Sequence, residues 1–260
     1  MTRPRVLNTR ARDQAAELSE LLRAAGFEPV EAPAIEIAPA WETATLEPVR
    51  AALRAGSYAW VVLPSQNAGR YLLEGLAALG GGPGDLSQAG ARVVCGTATA
   101  QALRLAPTRS LERFSAAAAL DVLRAAVAAG DRVLVPRAAE GRDELVDGLR
   151  QLGVHVDAPV CYRTRSIDPS QLAEAARLLR EGAIVAVTFA SPSAVHGLVE
   201  GLGSHARSSL DRPAIVCIGE TTADAARLVG LRVDGVAQRT SLSSLVEAVA
   251  RALAAREAAV

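Results

Sequence analysis

Residues 184–194 read Ile184-Val185-Ala186-Val187-Thr188-Phe189-Ala190-Ser191-Pro192-Ser193-Ala194. The first six form an apolar, largely β-branched run too short for a typical helix. Ser191 is a good N-cap and Pro192 suits a first helical turn. The stretch therefore predicts a strand, buried on both faces, that passes directly into a helix. Other short apolar runs follow the same pattern: Val6-Leu7, Trp60 to Leu63, Arg92 to Cys95, Val133 to Val135 and Ile215 to Ile218. Between them lie Ala/Leu/Arg-rich segments with apolar residues at helical spacing. Two of these, 13–25 and 143–152, end beside Gly26 and Gly153. Buried strands alternating with helices predict an α/β fold with parallel sheets.

The runs repeat in order. Val6-Leu7-Asn8-Thr9-Arg10 resembles Val133-Leu134-Val135-Pro136-Arg137, and Gly26 and Gly153 close the helices that follow, each pair 127 residues apart. Leu63-Pro64-Ser65-Gln66-Asn67-Ala68 resembles Phe189-Ala190-Ser191-Pro192-Ser193-Ala194. Val94-Cys95-Gly96-Thr97-Ala98-Thr99-Ala100 resembles Val216-Cys217-Ile218-Gly219-Glu220-Thr221-Thr222-Ala223. Three matched pairs in the same order predict two related halves. Residues 33–39 and 161–169 are flanked by proline and lack a helical pattern; Ile35 and Ile37 alternate as in a strand, and 160–167 does much the same. These two crossings predict one domain of 1–36 plus 168–260 and a second of 37–167. The Gly80-Gly81-Gly82-Pro83-Gly84 stretch follows a helix, so it predicts a loop rather than a dinucleotide fingerprint.

Composition excludes several chemistries. Half of the 260 residues are apolar and 22% are charged, enough for a sizeable core. All 28 basic side chains are arginine. Without lysine there is no Walker motif, Schiff base or pyridoxal phosphate anchor. The 28 acidic residues bring the net charge to zero, which argues against a nucleic-acid partner. Cys95, Cys161 and Cys217 form no C-x-x-C pair and predict a reducing compartment. The start, Met1-Thr2-Arg3-Pro4-Arg5, is unlike a signal peptide, and no apolar run nears the roughly 20 residues of a membrane span. A cytoplasmic protein without a membrane partner is expected. His155, His196 and His205 lack metal-ligand spacing, and no metal site is expected. His196 is placed on a helix surface and His155 at the end of a turn.

The candidate sites are four strand-to-helix junctions: Ser65-Gln66-Asn67, Gly96-Thr97-Ala98-Thr99, Ser191-Pro192-Ser193 and Gly219-Glu220-Thr221-Thr222. Helix capping alone explains any one of them. Together they place backbone N–H groups and positive helix ends at the carboxyl edges of parallel strands, where anions bind. Arg10 and Arg137 follow strands as well and add fixed charge; as surface ion-pair partners they would mean little.

The two junction motifs around Ser191 and Gly219 resemble those of the uroporphyrinogen-III synthase family. Val160-Cys161-Tyr162-Arg163-Thr164 resembles its segment between domains, and Val6 to Arg10 its start. Members often carry a lysine near the second motif; this chain has none. The resemblance implies two flavodoxin-like parallel-sheet domains, a two-stranded β linker and an active-site cleft between the domains. It also implies closure of a linear tetrapyrrole, hydroxymethylbilane, to uroporphyrinogen III with inversion of the last ring. The small-molecule bilane is the expected partner, no cofactor or metal is expected, and a monomer is expected. Eight carboxylates on the bilane suit several separated anion sites. Tyr162 is the expected proton donor, because a phenol with an ordinary pKa of about 10 is protonated at neutral pH; packing within the linker is the other reading. Thr99, Thr221 and Thr222 are expected to position carboxylates or cap helices. A catalytically inactive, two-lobed ligand-sensing module is the alternative.

Overall fold

The computed structural model describes residues 3–88, 90–112 and 114–258. It divides into two compact units, 1–37 with 165–260 and 38–164. The strands in chain order are β1 (Arg5–Asn8), β2 (Glu28–Glu31), β3 (Ile35–Pro39), β4 (Trp60–Leu63), β5 (Arg92–Gly96), β6 (Arg109–Leu111), β7 (Arg132–Leu134), β8 (Arg137–Ala138), β9 (His155–Asp157), β10 (Val160–Ser166), β11 (Ile184–Phe189), β12 (Ala214–Cys217) and β13 (Gly235–Val236).

The first unit holds a five-stranded sheet in the order β13-β12-β11-β1-β2 and the second a five-stranded sheet in the order β6-β5-β4-β7-β9. Adjacent strands run parallel throughout both. The repeated segments occupy equivalent strands: β1 matches β7, β11 matches β4, and β12 matches β5. From the opposite edge the first unit reads β2-β1-β11-β12-β13, the flavodoxin-like order 2-1-3-4-5. In the second unit the chain reaches the same spatial order from a different start, with the outer pair β7 and β9 made last. A third, small sheet, β3-β10-β8, is built on the two linker strands. Its third strand, β8, joins through the Arg137 and Ala139 amides donating to the carbonyls of Pro159 and Tyr162. The sequence predicts only two strands here; a two-residue strand carries no periodicity to find.

Strand alternation divides the core of the first unit into two layers. Val6, Ala186 and Val216 pack on one face with Leu18, Leu22, Leu245 and Val249. Their neighbours Leu7, Val187, Ile215 and Cys217 pack on the other with Leu178, Leu198 and Ala226. Successive residues of a strand point to opposite faces, so a strand covered on both sides must be apolar throughout. That is why the central strands are legible as runs. The edge strands β2, β6, β9 and β13 are not, since they are only partly buried and carry charged or small residues.

Two local expectations change. Leu79 and Gly80 form a turn and Gly81 and Gly82 lie outside any helix or strand, but Pro83 opens a helix, Pro83–Gln88, and the Gly82 amide donates to the Asp85 carboxylate. Proline at a first helical position is favourable, so the glycine-rich loop ends earlier than the composition suggests. His155 does not end a turn; it opens edge strand β9, pairing with Arg132, and is exposed. His196 is exposed on helix Pro192–Leu202, as expected. On the buried side of that helix, a Cβ at Gly197 would lie 2.2 Å from the Ala34 carbonyl oxygen, so this close approach requires glycine. Among the described residues, no helix is long and apolar enough to cross a membrane.

Candidate functional site

In the first unit the strand order reverses between β1 and β11, the point where doubly wound sheets bind ligands at their carboxyl edge. Thr9 and Thr188 fasten the two strands there. The Thr9 hydroxyl donates to the Thr188 carbonyl at 2.7 Å, and the Thr188 hydroxyl donates to the Leu7 carbonyl at 2.9 Å. Arg10 follows directly. Its Nε is buried without a hydrogen-bond partner, while its terminal nitrogen reaches Gln14 at 3.4 Å. Burial pulls the Arg10 pKa down, and Glu17 and Asp13 oppose that shift. The side chain keeps its charge, because even a lowered arginine stays protonated at neutral pH.

Across the same edge, the Ser191 hydroxyl accepts from the Ala194 amide at 3.2 Å and caps helix Pro192–Leu202. Pro192 has no N–H, which leaves the exposed Ser193 to present its amide at the helix mouth. Gly219 caps the helix Glu220–Leu228 without a side chain. Thr221 is exposed there, whereas Thr222 is 3% exposed and its amide donates to the Gly219 carbonyl at 3.1 Å.

The corresponding edge of the second unit is a chain of contacts. The Ser65 hydroxyl accepts from the Ala68 amide at 3.1 Å, capping helix Gln66–Ala78, and lies 3.3 Å from the Tyr162 hydroxyl. The Gln66 side-chain amide donates to the Ala98 carbonyl at 3.2 Å, joining this helix mouth to that of Thr97–Leu103. The Thr97 hydroxyl is 3.1 Å from that of Ser110 and donates to the Leu111 carbonyl. A Cβ at Gly96 would sit 3.3 Å from Phe114 Cβ, so the bare backbone at this cap suits its packing. Thr99 is 5% exposed and faces inward. Asn67 is partly buried in the first turn.

Tyr162 projects from β10, and its ring stacks on Tyr71 with centroids 5.5 Å apart. Burial raises its pKa; Glu140 and Cys161 add to this, and the contact with Ser65 works the other way. The phenol is therefore held protonated, as a proton donor must be. Arg137 forms an ion pair with Asp143, the second of the two readings its sequence position allows. Its guanidinium bonds the Asp143 carboxylate and the carbonyls of Gly141 and Ala138, so it secures its own loop.

The structure thus joins Tyr162, Ser65, Gln66, Gly96 and Thr97 on one edge, and Arg10, Ser191, Ser193, Gly219 and Thr221 on the other unit's edge. Thr99 and Thr222 turn into the cores. Sequence reasoning misses Tyr71, Ser110 and the Thr9–Thr188 pair. Tyr71 carries one usable signal: it is among just three tyrosines in the chain and lies six residues after Ser65. Among the described residues, no group of three or more His, Cys, Asp or Glu side chains is arranged to hold a metal ion.

The chain matches known proteins along its length. The family profile HEM4, uroporphyrinogen-III synthase HemD, matches residues 16–247. The uroporphyrinogen-III synthase of Synechococcus elongatus is 30% identical over 254 residues, covering 94% of this chain and 93% of that protein. The porphyrin biosynthesis protein HemD of Ruminiclostridium josui is 28% identical over 246 residues, covering 94% of this chain. This chain spans 47% of the length of that relative. A mutant uroporphyrinogen III synthase of Thermus thermophilus superposes with a TM-score of 0.64 at 23% identity, covering 97% of this chain and 99% of that one. The uroporphyrinogen-III synthetase of Helicobacter pylori gives 0.59 at 18% identity, covering 95% and 97%. These likenesses show the fold: α/β, with two parallel five-stranded sheets and a small linker sheet.

Proposed function

This chain belongs to the uroporphyrinogen-III synthase family of hydro-lyases, and from that premise we propose that it closes hydroxymethylbilane to uroporphyrinogen III plus water. The observation that carries the chemistry is the Tyr162 phenol, held protonated by burial and set 3.3 Å from Ser65 at a helix mouth. Tyr162 donates a proton to the terminal hydroxyl, which leaves as water. The resulting azafulvene carbon is attacked by the substituted carbon of the last pyrrole, forming a spiro centre. That centre fragments and recloses with the last ring reversed, and the proton released from the ring carbon balances the one consumed.

The carboxylates of the bilane are taken by the helix mouths. Amides and hydroxyls at Ser65, Gln66, Asn67, Gly96 and Thr97 serve one unit; Arg10, Ser191, Ser193, Gly219 and Thr221 serve the other. Thr99 and Thr222 support these edges from within, and Arg137 secures the loop that follows its strand. Because the bilane also closes unaided without inversion, the protein's main contribution is to hold one conformer of the substrate. Three buried, unpaired cysteines support a reducing compartment, and we place the protein in the cytoplasm as a monomer.

The test is direct. Purified protein is mixed with freshly generated hydroxymethylbilane, and the ratio of type III to type I product is measured. Predominantly type III product is expected. Binding of the bilane with only type I product would overturn the reading and make the chain a ligand-binding module.

A further inference from the structure

We propose that Tyr71 is a positioning residue that fixes the Tyr162 ring for proton donation, an inference resting on the role given to Tyr162 above. Tyr71 lies on helix Gln66–Ala78, the helix that Ser65 caps, and is 4% exposed. Its ring and that of Tyr162 have centroids 5.5 Å apart and planes inclined by 19°. One helix thereby holds Tyr162 twice, at the ring face through Tyr71 and at the hydroxyl through Ser65. The Tyr162 backbone is held separately, its carbonyl accepting from the Ala139 amide at 2.8 Å.

Tyr71 is itself fixed. The Arg70 guanidinium carbon lies 4.5 Å from its ring centroid, and Arg70 donates to its hydroxyl at 2.8 Å. Arg70 also pairs with Glu74 at 3.7 Å, one helical turn on. A tyrosine free to rotate about its side-chain bonds swings its hydroxyl through several ångströms. Stacking against an immobile ring removes that freedom before substrate arrives, so the entropy cost is not met at the transition state. Tyr71 therefore acts through Tyr162 and not on the substrate.

Steady-state kinetics on single and double variants tests this. Tyr71→Phe keeps the ring and should retain kcat within about twofold. Tyr71→Leu removes the stack and should lower kcat about fivefold, the size of a lost aromatic pair, with KM unchanged. In a Tyr162→Phe background, Tyr71→Leu should cause no further loss, because the proton it positions is gone. Circular dichroism checks folding; if the leucine variant does not fold, Tyr71→Met, which adapts to irregular space, is read in the same way. Wild-type kcat without the stack would overturn the proposal. So would a loss that multiplies in full on top of Tyr162→Phe, or a phenylalanine variant as impaired as leucine. Wild-type turnover in Tyr162→Phe alone would instead remove the proton-donor role, and this proposal with it.

Discussion

Thr9 and Thr188 are bound reciprocally across neighbouring parallel strands: each hydroxyl donates to a carbonyl on the other's strand, at 2.7 and 2.9 Å. Both residues are at most 1% exposed. They close the point where the strand order reverses and so fix the backbone from which Arg10 departs. In the second unit the repeat puts Pro136 and Val62 at the corresponding places, neither of which has a hydroxyl to donate. The pair is therefore a feature of one half.

Thr188→Val keeps the shape and leaves the buried Leu7 carbonyl without this donor. A loss of about 1–3 kcal/mol in urea unfolding is expected. The double variant with Thr9→Val should fall short of the sum of the single losses, because the two bonds share one strand pair. Full additivity would show that the two bonds act independently.

Tyr162→Phe should lower kcat roughly 10²-fold, the lower end for general acid catalysis, with little change in the unfolding midpoint. A general acid works while protonated, and burial raises the Tyr162 pKa. Activity that depends on it should persist up to the ordinary phenol value of about 10 and fall only above it. A Tyr162-dependent decline near neutrality would contradict this assignment.

Burial pushes the Cys161 and Cys217 thiols up to about 12 each. Unfolded thiols ionise near ~8.5. Between those values the folded state binds more protons, so the stabilisation is complete below ~8.5 and is lost as pH rises towards about 12. Thermal unfolding midpoints should fall from about pH 8.5 upward. Cys161→Val or Cys217→Val should flatten that decline, and an unchanged slope would assign it to other groups, such as Tyr58, whose pKa burial also raises.

If backbone amides hold the carboxylates, Gln66→Pro should damage binding more than Gln66→Ala. Both lose the side-chain bond to Ala98, and only proline loses the amide. The helix should accept it, since Pro192 occupies the matching position after Ser191 in the other half. Roughly tenfold weaker bilane or product binding is expected for proline against alanine, as for a hydrogen bond to a charged group. Equal affinities, with both variants folded by circular dichroism, would sink the amide cradle.

The resemblance implies chemistry without a cofactor. Turnover should be unchanged after exhaustive chelation and desalting. Loss of activity that a divalent metal restores would overturn that expectation.

The central strands are legible in the sequence because a strand covered on both faces must be apolar at every position, as in Ile184 to Phe189. The junctions are legible because Ser65 and Ser191 combine a cap with the end of such a run. Sequence repetition also reveals two related halves, through segments about 125 residues apart. The edge strands lie below detection, since their partly exposed positions allow charge, as in Glu28–Glu31. Only the tertiary structure decided which junction residues reach the carboxyl edges. Thr99 and Thr222 face inward because helix periodicity, not proximity to a cap, sets side-chain direction. Arg137 turns to Asp143 and Gly141, partners created by the fold of its own loop. The pairing of Tyr162 with Ser65 and Tyr71 spans more than 90 residues of sequence and forms where β10 returns beside the helix that holds both, a proximity that no local pattern encodes.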